Sequence, residues 1–448
     1  MSSALRWQAE MLRMNLIVWV YQLVFPLALL VAAPWWLLRM ATTARYREGL
    51  TERLGWVPRR LRVARDGCDV IWVHAVSVGE VIAVLRLVAA LDKQRPQARV
   101  LLSTTTRTGQ QIARARLGAE RVFYCPLDLA WATDAWLRAL RPSLLVLVET
   151  EFWPGLLHAC FRRGIPVMVV NARISDRSWP RYQRLRALWR PLLHHIHRIL
   201  AQSEMDAERL RALGCGAVEV AGNLKYDLKA DAGSEIVSLL RAWAPERRWL
   251  VAGSTLEGEE QALIAAWPQL RKTNGGLLLL LAPRHPERFD AVARMLHESG
   301  IPWRRRSELN SDALHSDEVE IVLLDTLGEL AAAYAVAEVA FVGGSVAQAG
   351  GHNPLEPALY GVPVVMGPHV ENFRGIVADM QAEDAILVTQ TEGFDAVRDA
   401  LQNLLNDPAT ARMMGERARA VLARHAGATE RTLEAMHNVL QAKGKAQP

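Results

Sequence analysis

The apolar positions of this chain are concentrated first in one long segment near its start. From Leu16 to Leu38 the sequence reads LIVWVYQLVFPLALLVAAPWWLL, without a charged residue. A helix rises about 1.5 Å per residue, so this segment would be roughly 34 Å long, enough to cross the hydrocarbon core of a bilayer. The pattern therefore predicts an N-terminal membrane anchor.

Three other interpretations of the apolar segment stay open. A signal peptide could be cleaved after the alanines at 32–33, although the apolar run is too long for one and continues into the tryptophans at 35–36. Gln22, Pro26 and Pro34 weaken a straight span, so the helix could lie shallowly in the bilayer. The third interpretation is a helix buried in a protein core.

Basic residues follow the apolar segment far more densely than they precede it. Only Arg6 and Arg13 precede it. Eight arginines follow it before the first predicted strand: Arg39, Arg45, Arg47, Arg53, Arg59, Arg60, Arg62 and Arg65. The positive-inside rule then places the rest of the chain in the cytoplasm, with the arginines at an anionic membrane surface.

Beyond residue 69, short apolar runs alternate with longer amphipathic stretches. This alternation is typical of βαβ units. The runs are apolar almost throughout, as in a parallel sheet that is covered on both faces. The first series of predicted strands occupies residues 70–75, 100–106, 122–125, 144–149, 166–172, 198–203 and 218–223.

A polar stretch from Asp227 to Ser234 interrupts the alternation and is the predicted linker. A second series of strands follows at residues 249–254, 276–283, 320–325, 339–344 and 363–367. The sequence therefore predicts an α/β protein with two Rossmann-like domains of parallel strands. Ligands would bind beyond the carboxyl ends of the strands, in a cleft between the domains.

These patterns predict three regions. Residues 1–65 would be the anchor with its basic segment, 66–228 the N-terminal domain, and 229–448 the C-terminal domain with its closing helices. Because the predicted domain cores begin only near Asp69, we expect both domains to fold after removal of residues 1–40.

Composition and charge agree with a globular protein that carries one apolar appendage. Hydrophobic residues make up 51% of the 448 positions and charged residues 22%. The net charge of +6 suits phosphorylated substrates and an anionic membrane, and we expect no nucleic-acid partner. The four cysteines lack the paired spacing of a zinc site or a disulfide framework, which favours a reducing cytoplasm.

The sequence HAVSVGE, at the end of the first predicted strand, contains a candidate general base. Glu80 would open the next helix at the carboxyl end of the sheet. A carboxylate in that place could remove a proton from a hydroxyl nucleophile. The alternative is that Glu80 only stabilises the helix N-terminus, with Gly79 serving as a turn.

Two further carboxylates, Glu149 and Glu151, lie in the sequence VETEFWPG. Local geometry allows only one of them to act easily. Glu151 could position an acceptor or stabilise a transition state, and the pair Trp153-Pro154 would start the next helix. An ordinary solvated loop is the alternative. We expect no metal, because the segment has no DxD pair and too few converging oxygens.

Lys225, in GNLKYD, is the third candidate and lies just past the last strand of the first series. Its ammonium group could meet a carboxylate or a donor phosphate. An ordinary surface lysine is the alternative.

The strands of the second series end in four polar segments, at residues 253–260, 282–289, 325–330 and 343–358. Backbone N–H groups there could form a phosphate cradle, with close approach allowed by glycines and charge added by Arg284. The glycines are Gly343, Gly344, Gly350 and Gly351. Glu356 could bind a ribose diol, while Asn353 and Pro354 would suit the N-cap and first position of a helix.

Several of these segments together closely resemble the 3-deoxy-D-manno-octulosonic acid (Kdo) transferases of lipopolysaccharide synthesis. The resemblance extends from the apolar segment to about residue 380. It is carried by HAVSVGE, VETEFWPG, NARISDRS, GNLKYD, APRHPERF, DTLGEL and GGHNPLEPALYGVPVVMGP, in this order. It implies a GT-B fold, CMP-Kdo as donor, a lipid A precursor as acceptor, and an inverting reaction without metal or cofactor at the cell inner membrane.

The resemblance also implies roles for single residues. Glu80 matches the general base, and Glu151 and Lys225 match transition-state stabilisers. The matched CMP-binding positions are Pro283, Arg284, Leu327, Gly328, Glu329, Asn353, Pro354, Leu355 and Glu356. Ala75 stands where family members often have serine.

Two other classes of protein remain as alternatives. The first is another GT-B nucleotide-sugar enzyme, such as a UDP-sugar transferase or an epimerase, which would prefer UDP to CMP. The second is a non-catalytic, membrane-tethered binding protein, in which Glu80 would only cap a helix.

Overall fold

Two seven-stranded parallel sheets organise the chain, one in each of two compact units. The computed structural model describes residues 3–42, 47–62, 68–231, 233–309 and 318–445. Arg45, Arg65, Ala232 of the predicted linker and the predicted boundary at 65/66 lie outside these ranges. The first unit comprises Met1–Asp227 with Gly427–Pro448, and the second comprises Leu228–Ala426.

The sheet of the first unit has the strand order β3-β2-β1-β4-β5-β6-β7. Its strands are β1 (Val70–His74), β2 (Arg99–Thr104), β3 (Val122–Tyr124), β4 (Leu144–Val148), β5 (Val167–Ala172), β6 (Arg198–Ala201) and β7 (Val218–Val220). Its helices before β5 are α1 (Ser3–Thr42), α2 (Leu50–Arg53), α3 (Val78–Gln94), α4 (Arg107–Leu117), α5 (Ala130–Leu140) and α6 (Pro154–Arg162). Those after β5 are α7 (Trp179–Arg184), α8 (Arg186–Leu193) and α9 (Glu204–Leu213). Strands β1, β4 and β5 are buried at every position, as their unbroken apolar sequences predict.

The sheet of the second unit has the order β10-β11-β9-β8-β12-β13-β14. Its strands are β8 (Arg248–Thr255), β9 (Leu277–Pro283), β10 (Trp303–Arg305), β11 (Ile321–Leu323), β12 (Ala337–Val342), β13 (Val364–Met366) and β14 (Leu387–Val388). Its helices are α10 (Glu235–Trp243), α11 (Glu259–Thr273), α12 (Phe289–Ser299), α13 (Leu330–Ala333), α14 (Leu355–Ala358), α15 (Arg374–Gln381), α16 (Asp395–Asn406) and α17 (Pro408–His425). The last helix of the chain, α18 (Ala428–Lys445), belongs to the first unit.

All twelve predicted strands are present, and the structure adds β10 and β14, which the sequence analysis missed. Both are edge strands that pair with one neighbour only. β10 reads Trp-Arg-Arg, and β14 has two half-buried residues. An edge strand needs no continuous apolar run, because it is not enclosed on all sides.

Each sheet has a point where the strand order reverses. In the first unit β1 pairs with both β2 and β4. In the second unit β8 pairs with both β9 and β12. Loops that leave two such neighbours diverge to opposite faces, and the crevice between them is the usual ligand site of open α/β sheets. In the first unit, the residues that follow β1 and β4 are therefore brought together. In the second unit, the same holds for the residues that follow β8 and β12.

The apolar helix α1 is mostly exposed, but it contributes two side chains to the core of the first unit. Met14 and Val18 are buried in the same apolar cluster as Trp72 and Trp136. α1 packs against α6 and α8. The expectation that the cores begin near Asp69 is therefore wrong.

Gln22, a polar interruption of the apolar segment, docks α1 on the first unit. Its side-chain amide donates to the carbonyl of Asp128 (2.9 Å) and accepts from the N–H of Ala130 (3.0 Å). A Cβ at Gly155 would lie only 2.3 Å from the Gln22 amide nitrogen, so this close approach requires glycine. The remaining surface of α1 stays apolar and exposed, with Trp19 at 65% and Leu27 at 61% exposure.

Residues Met11–Thr42 form the one helix, among the described residues, that is long and apolar enough to cross a membrane. It continues through Pro26 and Pro34 without a break. Two of the arginines that follow it are engaged within the first unit instead of being free to meet lipid. Arg53 donates to the carbonyl of Thr105 (2.5 Å), and Arg60 pairs with Glu52 (3.0 Å).

The last helix packs on the first unit, whereas the sequence analysis grouped it with residues 229–448. Its Met436 is buried in one apolar cluster with Val84 of α3. The carboxylate of Asp227 accepts from the N–H groups of Gly427 (2.6 Å) and Thr429 (2.5 Å) and so fixes the start of α18. The helix α18 belongs to the first unit because its apolar face is buried against α3.

Candidate functional site

Glu80 lies at the carboxyl end of β1, in the first turn of α3, as predicted. Its carboxylate accepts from the N–H of Val76 (2.8 Å) and from the N–H (3.2 Å) and hydroxyl (2.7 Å) of Ser77. The N–H of Glu80 donates in turn to the Ser77 hydroxyl (3.4 Å), which completes a capping box. The helix-capping interpretation of Glu80 is thus present in the structure, and the same contacts hold the carboxylate in one orientation.

The two glutamates after β4 differ in their electrostatic surroundings. Burial and the charge of Glu80 raise the pKa of Glu149, and the cations of Lys225 and Arg173 oppose this rise. Burial, Glu80 and Glu149 raise the pKa of Glu151 to about 7. Glu149 therefore interacts electrostatically with Lys225, and of the two carboxylates it is the better placed to form an ion pair with that lysine.

Glu149 also has a strained backbone, with φ of +58°. Non-glycine residues adopt this conformation rarely, and they often do so at functional sites. The following helix α6 begins at Pro154, with Trp153 at the N-cap, as predicted. The N–H groups of Gly155 and Leu156 donate to the buried carboxylate of Asp128 (2.8 and 2.7 Å), which fixes the end of the 149–153 loop.

Lys225 lies in a short turn that two asparagines hold. The side-chain oxygen of Asn171 accepts from the N–H of Leu224 (3.0 Å), and that of Asn223 accepts from the N–H of Lys225 (3.0 Å). Asn171 itself has φ of +53° and is buried at the end of β5. A Cβ added at Gly79 would lie 4.0 Å from the Lys225 ammonium nitrogen, so this group lies beside the residue that precedes Glu80.

The first unit therefore brings the predicted catalytic residues Glu80, Glu151 and Lys225 to one edge of its sheet, together with Glu149. The sequence analysis assigned no role to Asn171 or Asp128. Their signal was weak, since a single asparagine or aspartate at a strand end is common in loops.

In the second unit, Gly343 and Gly344, two of the four glycines of the predicted phosphate cradle, do not offer their N–H groups to a ligand. The buried carboxylate of Glu259 accepts from the N–H groups of Gly344 (2.8 Å), Val346 (2.9 Å) and Ala347 (3.2 Å). The N–H of Gly343 donates to the carbonyl of Gly253 (2.9 Å). These donors are used within the protein, because a carboxylate already lies where an anion would bind.

The next segment, around Arg284, stays open for a ligand. Arg284 is exposed just after Pro283, which is buried at the end of β9. Burial, Arg284 and His285 together lower the pKa of His352 to about 4, so this imidazole is neutral at pH 7 and lies close to both residues. The arrangement joins the end of β9 to the loop that follows β12.

Asn353 and Glu356 form a small hydrogen-bonded unit at the start of α14. The Asn353 side chain accepts from the N–H of Leu355 (3.2 Å) and donates to the Glu356 carboxylate (3.2 Å). The helix begins at Leu355, one residue later than predicted, with Pro354 at the N-cap. Glu356 is half-buried, and its charge contributes to the raised pKa of Tyr334.

The segment Leu327–Glu329 forms the turn before α13. Gly328 has φ of +87°, and Leu327 is 74% exposed. The Glu329 carboxylate pairs with Arg306 (2.8 Å) and with the hydroxyl of Thr326. All nine predicted nucleotide-binding residues thus belong to the second unit. They lie at the end of β9, in the segments that follow β9, β11 and β12, and in the first turn of α14.

A metal ion finds no ready site in the part of the chain that the structure describes. No group of three or more His, Cys, Asp or Glu side chains is arranged there so that it could hold one.

The comparisons with known proteins define the class first. The fold is similar to a putative UDP-N-acetylglucosamine 2-epimerase of Listeria monocytogenes, with a TM-score of 0.53 and 16% identity over 84% of this chain and 98% of that one. This likeness shows the fold, two parallel-sheet α/β domains of the GT-B type. The predicted fold class is confirmed in this respect.

Sequence relatives then define the family. The family described as 3-deoxy-D-manno-octulosonic-acid transferase (kdotransferase) matches residues 48–228. The chain is 35% identical to the 3-deoxy-D-manno-octulosonic acid transferase of Haemophilus influenzae, over 89% of this chain and 92% of the relative. It is 38% identical to that of Bordetella pertussis, over 83% and 87%. The chain belongs to the Kdo transferase family, and it is a glycosyltransferase.

Proposed function

We propose that this chain transfers Kdo from CMP-Kdo to a lipid A precursor at the cytoplasmic face of the inner membrane, with inversion and without a metal. The observation that carries the proposal is the meeting of Glu80, Glu149 and Lys225 at the strand-order reversal of the first sheet. The family supports Kdo as the transferred sugar.

The proposed reaction needs one base and one group that stabilises charge. Glu80 removes the proton from the acceptor hydroxyl as its oxygen forms a bond to the anomeric carbon of Kdo. The bond from that carbon to the CMP phosphate oxygen breaks, and CMP leaves with the bonding electrons. Attack from the face opposite the leaving group inverts the configuration.

Lys225 and the glutamates serve the same step. The ammonium group of Lys225 balances the negative charge that gathers around Glu80 and Glu149 and stabilises the transition state electrostatically. Glu151, whose pKa is about 7, carries a proton for part of the time at neutral pH and can donate a hydrogen bond to an acceptor oxygen. These roles retain Glu151 and Lys225 as predicted and add Glu149.

The donor site is proposed for the second unit. Arg284 supplies the positive charge for the CMP phosphate, and the half-buried Glu356 accepts from the ribose hydroxyls. Residues 327–329 and Asn353 complete the nucleotide contacts, while the buried Pro354 and Leu355 hold the turn behind them. Because the N–H groups around Gly343 are used by Glu259, the phosphate depends on side chains more than on a glycine loop.

The membrane part of the proposal depends on α1. This helix could anchor the chain, since its exposed surface is apolar along most of its length. Its docking on α6 places the anchor next to the helix that follows the 149–153 loop. An acceptor held in the bilayer would thereby be near the proposed base.

The test uses the purified full-length chain in detergent micelles with CMP-Kdo and the lipid acceptor. We expect a product heavier by one or more Kdo residues, with inverted configuration by NMR and an unchanged rate in EDTA. Glu80→Gln serves as the inactive control. Turnover of a UDP-sugar in place of CMP-Kdo, or loss of activity in EDTA, would contradict the proposal.

A further inference from the structure

An exposed basic surface lies between β5 and β6, and no role has yet been assigned to it. It consists of five exposed arginines on and just before α7 and α8, here called the arginine surface: Arg177, Arg181, Arg184, Arg186 and Arg190. Residues 173–198 contain a single acidic residue, Asp176, whose carboxylate accepts from Arg209 on α9 (2.5 Å).

The charge of the arginine surface is not balanced by the protein. None of the five arginines forms an ion pair with any residue in the described ranges, although the other exposed helices contain several such pairs, such as Arg398 with Asp395. Five like charges on two short helices and the segment before them repel one another, so they lower the stability of the free protein. Guanidinium groups bind phosphate in a bidentate way, which makes a phosphorylated ligand the chemistry that this surface fits.

Aromatic contacts connect the arginine surface to the catalytic loop. Phe152, which follows Glu151, packs against Tyr182 of α7 (ring centroids 6.3 Å apart) and Trp189 of α8 (6.0 Å). The hydroxyl of Thr150 donates to the carbonyl of Arg173 (2.9 Å). A ligand on the arginine surface therefore lies on the same structural block as Glu149 and Glu151.

The surroundings of the arginine surface are apolar on one side. α8 packs against α1, the helix that could enter a membrane. Leu185 and Leu188, within the arginine surface, are 41% and 49% exposed. Apolar and cationic side chains that alternate in this way suit a ligand that has both a charged headgroup and acyl chains.

We propose that the arginine surface binds the phosphate groups of the acceptor lipid headgroup and presents its hydroxyl to the loop that contains Glu149 and Glu151. This rests on the proposed function, because it names the recognition element for that acceptor. The arginines could also bind the headgroups of a bulk anionic membrane. Binding of that kind would not require the packing of Phe152 against the aromatic residues of α7 and α8.

The test compares the full-length double variant Arg181→Gln/Arg184→Gln with a matched control, Arg116→Gln/Arg141→Gln. The control arginines are exposed, belong to the same unit and have no ion pair within the described residues. Arg116 lies in the last turn of α4 and Arg141 is the C-cap of α5, so both precede the amino ends of β3 and β4, at the opposite edge of the sheet. Each protein is assayed in neutral detergent with the phosphorylated acceptor and with the same acceptor after removal of its phosphates.

For the double variant we expect a KM for the phosphorylated acceptor that is about tenfold higher or more, at roughly fivefold per arginine. Its kcat and its KM for CMP-Kdo should stay within about twofold of the wild type. On the dephosphorylated acceptor, the wild type, the variant and the control should have similar KM values. Added salt should raise the KM of the wild type more steeply than that of the variant.

Three results would overturn the inference: an unchanged acceptor KM in the variant, an equal rise on both acceptors, or an equal rise in the control. The inference would also be overturned if the variant no longer sediments with phosphatidylglycerol vesicles but keeps a normal acceptor KM in detergent. That result would assign the arginine surface to binding of bulk lipid. Binding of acceptor micelles without CMP-Kdo is measured separately. If the wild type binds them through these arginines but transfers no Kdo, the proposed function fails and the binding surface stands.

Discussion

The backbone N–H of Gly344 donates to the carboxylate of Glu259 at 2.8 Å, in a loop where a glycine-rich sequence suggests a phosphate site. Glu259 is 1% exposed and accepts from three further N–H groups, those of Leu256, Val346 and Ala347. The neighbouring Glu260, also buried, pairs with Arg288 (3.2 Å). Two adjacent carboxylates at the start of α11 thus hold the segments that follow β9 and β12.

We expect Glu259→Gln to weaken CMP binding by tenfold or more, because an amide places N–H donors against the N–H groups of the loop and leaves some of them without a partner. Calorimetry with CMP measures this directly. Glu298→Gln, on the exposed side of α12, is the control and should bind CMP normally. If the Glu259→Gln protein is folded and its CMP affinity is unchanged, Glu259 does not position the 343–356 loop for CMP binding.

Replacement of Glu80 by glutamine should reduce turnover by about 10²- to 10⁴-fold while CMP affinity stays nearly constant. The capping box requires a second variant, because Glu80 also stabilises the start of α3. Ser77→Ala removes the hydroxyl of the capping box and keeps the carboxylate, so it should lose far less activity. Equal losses in the two variants would show that the cap matters rather than the base.

Arg284→Ala and Glu356→Ala should each weaken CMP binding, since one is proposed to contact phosphate and the other ribose. Loss of a charge-assisted hydrogen bond costs about 1.5–3 kcal/mol, or roughly 10- to 100-fold in affinity. Cytidine, which has no phosphate, should separate the two: Arg284→Ala should bind it as the wild type does, and Glu356→Ala should not. Calorimetry that shows normal CMP affinity in both variants would refute the donor site.

The strand pattern could be predicted from the sequence because every central strand is enclosed on both faces and must be apolar throughout. The candidate residues at strand ends followed from the same reasoning, since parallel strands end at one edge. Residues such as Glu80 and Lys225 could therefore be named before their partners were known.

Side-chain partners were beyond reach of the sequence. The N–H of Gly344 could donate to Glu259 or to a ligand phosphate. The outcome depends on contact between two segments about 85 residues apart along the chain, and a local motif does not encode such a contact. The proximity of Lys225 to Glu149 depends in the same way on how the segment after β7 meets the segment after β4. Two helices were misjudged: α18 was grouped with the wrong domain, and α1 was expected to add nothing to the core. The sequence could not single out Met14 and Val18, because they are apolar like the exposed residues around them.

Removal of residues 1–40 should destabilise the first unit, in contrast to the expectation from the sequence. Met14→Ala alone should lower the free energy of unfolding by about 2–5 kcal/mol, because it leaves a cavity in the core. Leu30→Ala, at a position that is 69% exposed on the same helix, should change it little in detergent. Chemical denaturation of the purified proteins in one detergent measures both, and equal stability of the two variants would show that α1 is only an anchor.

The raised pKa of Glu151 makes the stability of the protein depend on pH near neutrality. In the unfolded chain this carboxyl group loses its proton near its usual pKa of 4.5, whereas in the folded protein it does so at about 7. The folded state therefore binds the proton more tightly between these values, and stability falls as pH rises through this interval. Glu151→Gln keeps the neutral form at every pH, so its Tm should match the wild type near pH 4 and exceed it increasingly up to pH 8. Glu208→Gln, exposed on α9, should show no such trend, and a Tm difference for Glu151→Gln that is the same at pH 5 and pH 8 would exclude the raised pKa.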